Sequence, residues 1–236
     1  MNRPILFKWA AVLAVCFFSN LTRGDLGPYS RPPNRPLKGS MQNAEVLIKI
    51  SATSSNTIQA VVDGKFDMQF RGDMVPYDPK DVTLTVDFPI SPSEDRQPQP
   101  TDFTTSIDGK LVTNVTHTSW YMFLPDANSV SRLVDGYVWT CKVGAMKMPV
   151  HRHFAVHYTL TLKKNGEQPP FVYFLRTGGM WDDPIRKEVV KVVIQKGLKA
   201  KIAPPTRAKP KIQTDSEIVW ELANVRPSED IHLKLN

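Results

Sequence analysis

The sequence predicts an all-β protein, an antiparallel β-sandwich with room for one short helix. Apolar and polar residues alternate with a period of two along most of the chain, which is the pattern of strands with one buried face. Long helical periodicity is absent, so the repeated strand and helix units that build parallel sheets are missing. The 20 prolines lie largely between short apolar runs. Many short strands with one apolar face each imply two packed sheets.

The first 24 residues are typical of a signal peptide. Arg3 and Lys8 give the start a positive charge, and Trp9 to Phe18 form an apolar run. Small residues at Thr22 and Gly24 suit cleavage before Asp25. The apolar run is too short for a bilayer, which needs about 20 residues. We therefore expect an exported protein, periplasmic or extracellular, without a transmembrane segment in the mature chain.

Residues 25–43 are expected to form a proline-rich extended linker, and residues 44–236 the β-sandwich domain. The stretch at 27–39 holds four prolines and two glycines, a composition that gives no core. The alternation begins after Ala44. Strands are predicted in eight runs, at residues 65–70, 81–90, 106–111, 137–143, 150–162, 172–178, 188–194 and 214–225.

Local signals define several connections between these strands. Asp108-Gly109 is a residue pair that a two-residue hairpin turn favours, because both positions need positive φ. The best candidate for a short helix is Ser129 to Val134. In the run at 81–90, Asp87 belongs to the polar set that should face solvent. A basic, proline-containing excursion at 196–211 would precede a final strand within 214–225.

Three of the five histidines lie on one strand within residues 150–162. His151, His153 and His157 share parity, so they should occupy the face opposite the core side chains from Phe154 to Leu162. Side chains two residues apart on a strand are about 6 to 7 Å apart, close enough to hold one metal ion together. With Met146 and Met148 nearby, the pattern allows a copper or zinc site. An ordinary solvent-exposed polar face explains the histidines equally simply and is favoured.

No established catalytic pattern is present, and we expect a protein that is not an enzyme. The sequence has no GxGxxG, Walker, GxSxG or HExxH motif. Cys141 is the only cysteine after the leader, and its parity places it with core residues rather than with a catalytic base. A hydrolase with a site assembled from distant loops is the remaining enzymatic alternative. No cofactor is expected apart from the possible copper or zinc ion.

The distribution of basic residues along the chain indicates the class of binding partner. The formal net charge of +7 includes three cations of the leader, so the mature chain carries +4. From Arg186 to Lys211 the chain has nine Lys or Arg residues and one acid, Glu188. Such a segment can bind a protein or an anionic envelope polymer. Nucleic acid is disfavoured because no aromatic residue is interleaved with the charges. Solvated strand edges and a linker are the simpler interpretation of this segment.

The C-terminal half resembles a family of bacterial secreted proteins of unknown function. The resemblance rests on a YxLRTGxxW strand motif followed by Pro184-Ile185, and on a closing segment with Trp220, Pro227 and Asp230-Ile231. The Phe-Pro step at Phe88 adds to it. The resemblance implies export and a β-rich extracytoplasmic domain, and it supplies no catalytic residues. A loop cleft lined by Arg176, Trp181 and Trp220 is a candidate ligand site, since aromatic rings can stack on sugars or peptides.

These observations favour an exported, non-enzymatic β-sandwich of the bacterial envelope that binds a macromolecule. The alternative is a periplasmic protein that binds copper or zinc through the strand with His151, His153 and His157.

Overall fold

The computed structural model describes residues 27–28, 37–72, 82–92, 100–123, 131–144, 149–163, 171–175, 183–204 and 206–235. These residues are all-β, as the alternation predicted, and contain no helix. The strands are β1 Gly27–Pro28, β2 Leu37–Ser54, β3 Thr57–Gly72, β4 Val82–Pro92, β5 Thr101–Ile107, β6 Lys110–Leu111, β7 Thr116–Phe123, β8 Ser131–Gly144, β9 Val150–Lys163, β10 Phe171–Tyr173, β11 Ile185–Ile194, β12 Ala200–Ile202, β13 Ile212–Gln213, β14 Glu217–Val225 and β15 Ile231–Leu235.

The strands form three sheets. An eight-stranded sheet has the order β13-β14-β11-β2-β3-β9-β5-β6, a four-stranded sheet the order β1-β4-β8-β7, and a three-stranded sheet the order β10-β15-β12. Neighbouring strands are antiparallel except β11 and β2, which run parallel within the described residues. The long hairpin of β2 and β3 and its partner β9 form the centre of the large sheet.

The core lies between the large sheet and the four-stranded sheet. Phe88 of β4 contacts Phe66 and Tyr158 of the large sheet, with ring centroids 6.3 Å and 5.9 Å apart. Edge-to-face contacts of this kind are a preferred aromatic geometry. Phe66 and Phe154 lie on the buried side of β3 and β9, as the period-two pattern predicted. Each strand therefore contributes alternate side chains to one shared core.

The three-stranded sheet joins this core and also covers the four-stranded sheet. Phe171 and Tyr173 of β10 point into the main core, whereas Val172 and Phe174 pack against Val134 of β8. Because both faces of this segment are covered, its side chains are buried without alternation.

Several boundaries differ from the sequence predictions. β2 begins at Leu37, not near Ala44, because β3 is long enough to pair with the whole of residues 37–54. Residues 131–134 belong to β8 rather than to a helix, and the rest of the predicted helix lies outside the described residues. Asp87 is fully buried although its pattern predicted exposure. It pairs with Val138, whose face of the sheet is covered by β10.

The predicted hairpin at Asp108-Gly109 is confirmed. Both residues have positive φ, 50° and 76°, and Ile107 pairs with Lys110 across the turn. The strand predicted within residues 214–225 is also present as β14, but β15 follows it and completes the three-stranded sheet. No helix suited to crossing a bilayer is found in the part of the chain that the structure describes.

Candidate functional site

The three histidines lie on the outer face of the large sheet, as their parity predicted. Each stands directly opposite a polar residue of β3: His151 opposite Gln69, His153 opposite Asp67, and His157 opposite Asp63. We call these six residues the histidine face. These pairs follow from the register of β3 and β9, which is set by the buried residues on the other side of both strands.

Two of the pairs are short carboxylate contacts. His153 Nδ1 is 2.6 Å from Asp67 Oδ1, and His157 Nδ1 is 2.7 Å from Asp63 Oδ1. His153 is the more open of the two, with 70% of its side chain exposed against 42% for His157. Lys49 also lies 3.8 Å from Asp63, so that carboxylate contacts two potential cations.

This geometry assigns a role to each ring nitrogen. A carboxylate only accepts hydrogen bonds. We therefore assign the ring hydrogen to Nδ1 in both His153 and His157, where the N–H group donates a hydrogen bond to the carboxylate. In a neutral ring Nε2 then holds the free lone pair. Metal-binding histidines characteristically have this arrangement, with the second nitrogen held by a carboxylate. The aspartates, which the sequence analysis did not connect to the histidines, thus form the outer support of a candidate metal ligand.

The candidate metal ligands are only partly placed. His151 and His153 lie two residues apart, and His151 Nε2 is 3.2 Å from Gln69 Nε2. Met146 and Met148 lie outside the described residues. Within the described ranges, no group of three or more His, Cys, Asp or Glu side chains has a geometry that could hold a metal ion. The histidine face therefore offers a pair of imidazoles rather than a complete coordination shell.

One row of the sheet has the chemical order of a hydrolase triad. Asp63, His157 and Thr104 are neighbours on β3, β9 and β5, which aligns a carboxylate, an imidazole and a hydroxyl. However, the described contacts include no hydrogen bond from Thr104 to His157. A general base must lie within hydrogen-bond distance of the proton it removes. The row supplies an oriented imidazole and does not activate a nucleophile.

The other predicted chemical residues occupy core positions or lie outside the described residues. Cys141 is buried, and burial raises the pKa of its thiol to about 11, partly offset by the Arg152 cation and reinforced by Asp108. Trp220 is completely buried, and its indole N–H donates to the Ala208 carbonyl over 3.0 Å. Its ring is therefore covered by packing. Arg176 and Trp181, the other members of the predicted ligand cleft, lie outside the described residues.

The basic segment, residues 196–211, is held against the fold at several points. Its carbonyl at Ala208 accepts the Trp220 N–H, and the Glu229 carboxylate accepts the backbone N–H groups of Arg207 and Ala208. The Thr206 hydroxyl donates to the Asp230 carbonyl and accepts from the His232 N–H. The segment predicted as an excursion thus includes β12 and connects the small sheet to the edge of the large one.

Its cations remain largely uncompensated. Lys196, Lys199, Lys201, Arg207 and Lys209 are exposed. None of them has an ion pair within the described residues. The acids in the neighbouring strand β14 contact none of these five cations.

Those acids bind other lysines. Glu217 lies 2.6 Å from Lys191, and Glu221 lies 2.6 Å from Lys211. The basic segment therefore presents a row of free positive charges on an anchored backbone.

Comparisons with known proteins identify the fold and no family. No family model matches the sequence, and no curated protein matches it. The structure is similar to that of a candidate nutrient binding protein from Legionella pneumophila, with a TM-score of 0.58 and 17% identity. The similarity covers 84% of this chain and 66% of that one. At this identity it shows the fold alone.

Two further structures are much less similar. A candidate protease from Parabacteroides distasonis has a TM-score of 0.36 and 12% identity, covering 83% of this chain and 40% of that one. An M1 zinc metallopeptidase from Deinococcus radiodurans has a TM-score of 0.32 and 9% identity, covering 78% and 39%. Neither similarity carries an argument about function.

Proposed function

We propose that this protein is an exported, non-enzymatic binding module of the bacterial envelope that attracts an anionic partner through its basic segment. The observation that carries the proposal is the set of exposed cations without ion pairs, Lys196, Lys199, Lys201, Arg207 and Lys209, on a backbone anchored by Glu229 and Trp220. Anchoring lowers the entropy lost when the segment meets a partner. The similarity to the Legionella protein, named for binding a nutrient, supports a binding role.

The test is retention on envelope fractions over a salt series. We expect binding of the purified protein to weaken as ionic strength rises, because the screening length falls from about 10 Å at 0.1 M to about 3 Å at 1 M. The triple variant Lys199→Gln/Arg207→Gln/Lys209→Gln should bind less at low salt.

The matched control for that variant is Lys65→Gln/Lys110→Gln/Lys142→Gln. It removes the same charge from three exposed positions elsewhere on the fold. The control should retain most of the binding. Retention that does not depend on salt, or equal losses in the two triple variants, would contradict the proposal.

A second candidate function, binding of copper or zinc, is favoured by the carboxylate contact to His153. Asp67 orients that ring through Nδ1, which leaves Nε2 for a metal, and His151 lies two residues away. We expect calorimetric titration to detect one ion per chain and the His151→Ala/His153→Ala variant to lose it. Because such supporting carboxylates contribute about 10- to 100-fold in affinity, Asp67→Asn should weaken binding by at least tenfold.

His117→Ala is the control, because His117 is exposed on β7 in a different sheet. Its loss should leave the titration unchanged. Absence of heat with both metals, or equal binding by the double histidine variant, would leave the histidine face as a polar surface only.

A further inference from the structure

Two lysines stand face to face on the three-stranded sheet. Lys201 of β12 pairs directly with Lys234 of β15, and both side chains are exposed. Ala200 and Ile202, on either side of Lys201, pack against the core, and Leu233, beside Lys234, is completely buried. Strand alternation therefore directs both ammonium groups to the outer surface.

Such a pairing is unfavourable unless something neutralises it. Residues directly opposite in an antiparallel pair have Cβ atoms about 5 Å apart, and like charges there destabilise the sheet. Within the part of the chain that the structure describes, neither lysine has an acidic partner. Lys199, which is exposed directly before β12, adds a third charge nearby. These positions favour an anion with several oxygens.

Several exposed cations along one continuous segment suit a polymer with repeated charges better than a single small anion. From Lys199 to Lys209, the last cation of the basic segment without an ion pair among the described residues, the chain can span at most ~33 Å at ~3.3 Å per residue. The Glu229 carboxylate accepts backbone N–H groups of Arg207 and Ala208 rather than pairing with a cation of the row, and Glu221 pairs with Lys211 at its end. Repeated anionic groups along one molecule could occupy this row together.

We propose that the Lys201 and Lys234 pair binds phosphate groups of an extended polyanion that has no bases, the chemistry of a phosphate-bearing envelope polymer. A phosphate presents several acceptor oxygens to two ammonium groups, each of which has three donors. Nucleic acid fits less well because residues 196–211 include no aromatic side chain on which a base could stack. The inference rests on the proposed function and specifies its partner.

The experiment measures binding of the full chain to long-chain inorganic polyphosphate over a salt series. The variant is Lys201→Gln/Lys234→Gln, and the matched control is Lys65→Gln/Lys110→Gln, which removes two exposed charges elsewhere. If two phosphate contacts are lost, the slope of log affinity against log salt should fall by about 1.4, and affinity near 0.15 M salt on the order of tenfold. The control should change little.

Stability gives a second measurement that does not involve a ligand. Removing the like-charge pair should raise the melting temperature of Lys201→Gln/Lys234→Gln above that of the control, because repulsion between the strands is relieved. Polyphosphate should raise the melting temperature of the wild type more than that of this variant.

Each contrary result overturns a distinct part of the inference. Equal affinity losses in variant and control would remove the paired lysines as the site. Equally tight binding of polyglutamate would remove the phosphate preference, and tighter binding of oligo(dT) of equal charge would indicate a nucleic acid. If polyphosphate fails to bind while envelope fractions still retain the protein in a salt-dependent manner, this inference falls and the proposed function stands.

Discussion

At the scale of single residues, environment determines which side chains can react. Cys141 and His153 are both nucleophilic residue types, but their surroundings are opposite. Cys141 is 1% exposed in the core, whereas His153 is open and has one nitrogen fixed by Asp67. Burial favours the neutral thiol, whereas the exposed imidazole presents its second nitrogen to solvent. Of these two side chains, only His153, on the sheet surface, is accessible to a ligand.

The raised pKa of Cys141 leads to a prediction about stability at high pH. Burial raises the pKa of the folded thiol to about 11, whereas the unfolded thiol keeps its ordinary pKa of 9.0. Between these values the unfolded chain binds fewer protons than the folded one, so stability falls as pH rises. This contribution is present below pH 9, and about 2 kcal/mol of it is lost by pH 11.

The measurement is denaturant unfolding of the wild type and Cys141→Ala at pH 8 and pH 10.5. Substitution removes the thiol titration but leaves the tyrosines and lysines, so the stability difference between the two proteins should shrink at the higher pH. Iodoacetamide should also modify the folded protein only slowly at pH 8. Rapid modification, or a difference that does not change with pH, would show that the thiol is not held neutral by burial.

At the scale of elements, the register between β3 and β9 builds the histidine face. The alternation of β9 was sufficient to predict which face the histidines occupy. It could not identify Asp63 and Asp67 as partners, because those residues lie 94 and 86 positions away and only the strand register brings them together. The period of two in each strand predicts which side chains face the core. It does not predict which residue of one strand lies opposite which residue of the other.

The same limit explains the wrong local predictions. Asp108-Gly109 was predictable because a two-residue turn depends on two adjacent residues with positive φ. Asp87 was not, because its burial depends on β10, more than 80 residues further along the chain. Ser131 to Val134 form strand rather than helix because all four pair with β7, and Val134 also pairs with Pro92 of β4. At Asp87 and at residues 131–134, contacts with distant strands override the local pattern.

Edge strands of the large sheet carry features that discourage pairing with another chain. β6 and β13, at its two ends, have two residues each. The strands next to them, β5 and β14, each contain a non-glycine residue with positive φ, Asp102 and Asn224. Short edges and local irregularities protect a sheet from adding strands. These edges are therefore poorly suited to adding a strand from another chain.

At the scale of the whole molecule, the basic segment connects the three-stranded sheet to the large sheet. It leaves β12, is held near Thr206 by β15, and reaches β14 through the Ala208 carbonyl and the Lys211 N–H. The Glu229 carboxylate lies at the middle of this path. Its role suggests a way to separate the effect of anchoring from the effect of net charge.

Glu229→Ala should weaken polyanion binding although it makes the protein more positive. The substitution removes the acceptor of two backbone N–H groups, and hydrogen bonds to a charged group contribute about 2 kcal/mol. We expect lower stability, faster hydrogen exchange at Arg207 and Ala208, and weaker binding because more order must be gained on association. Hydrogen exchange and polyphosphate titration measure these effects directly.

The control is Glu45→Ala, which makes the same charge change at an exposed position on the outer face of the large sheet. If net charge alone governs binding, both variants should bind polyphosphate slightly more tightly than the wild type. If anchoring matters, Glu45→Ala tightens binding while Glu229→Ala weakens it. Because the two variants change the charge equally but should shift the affinity in opposite directions, the comparison does not depend on the absolute affinity. Equal tightening in both variants would show that the basic segment acts only through its charge.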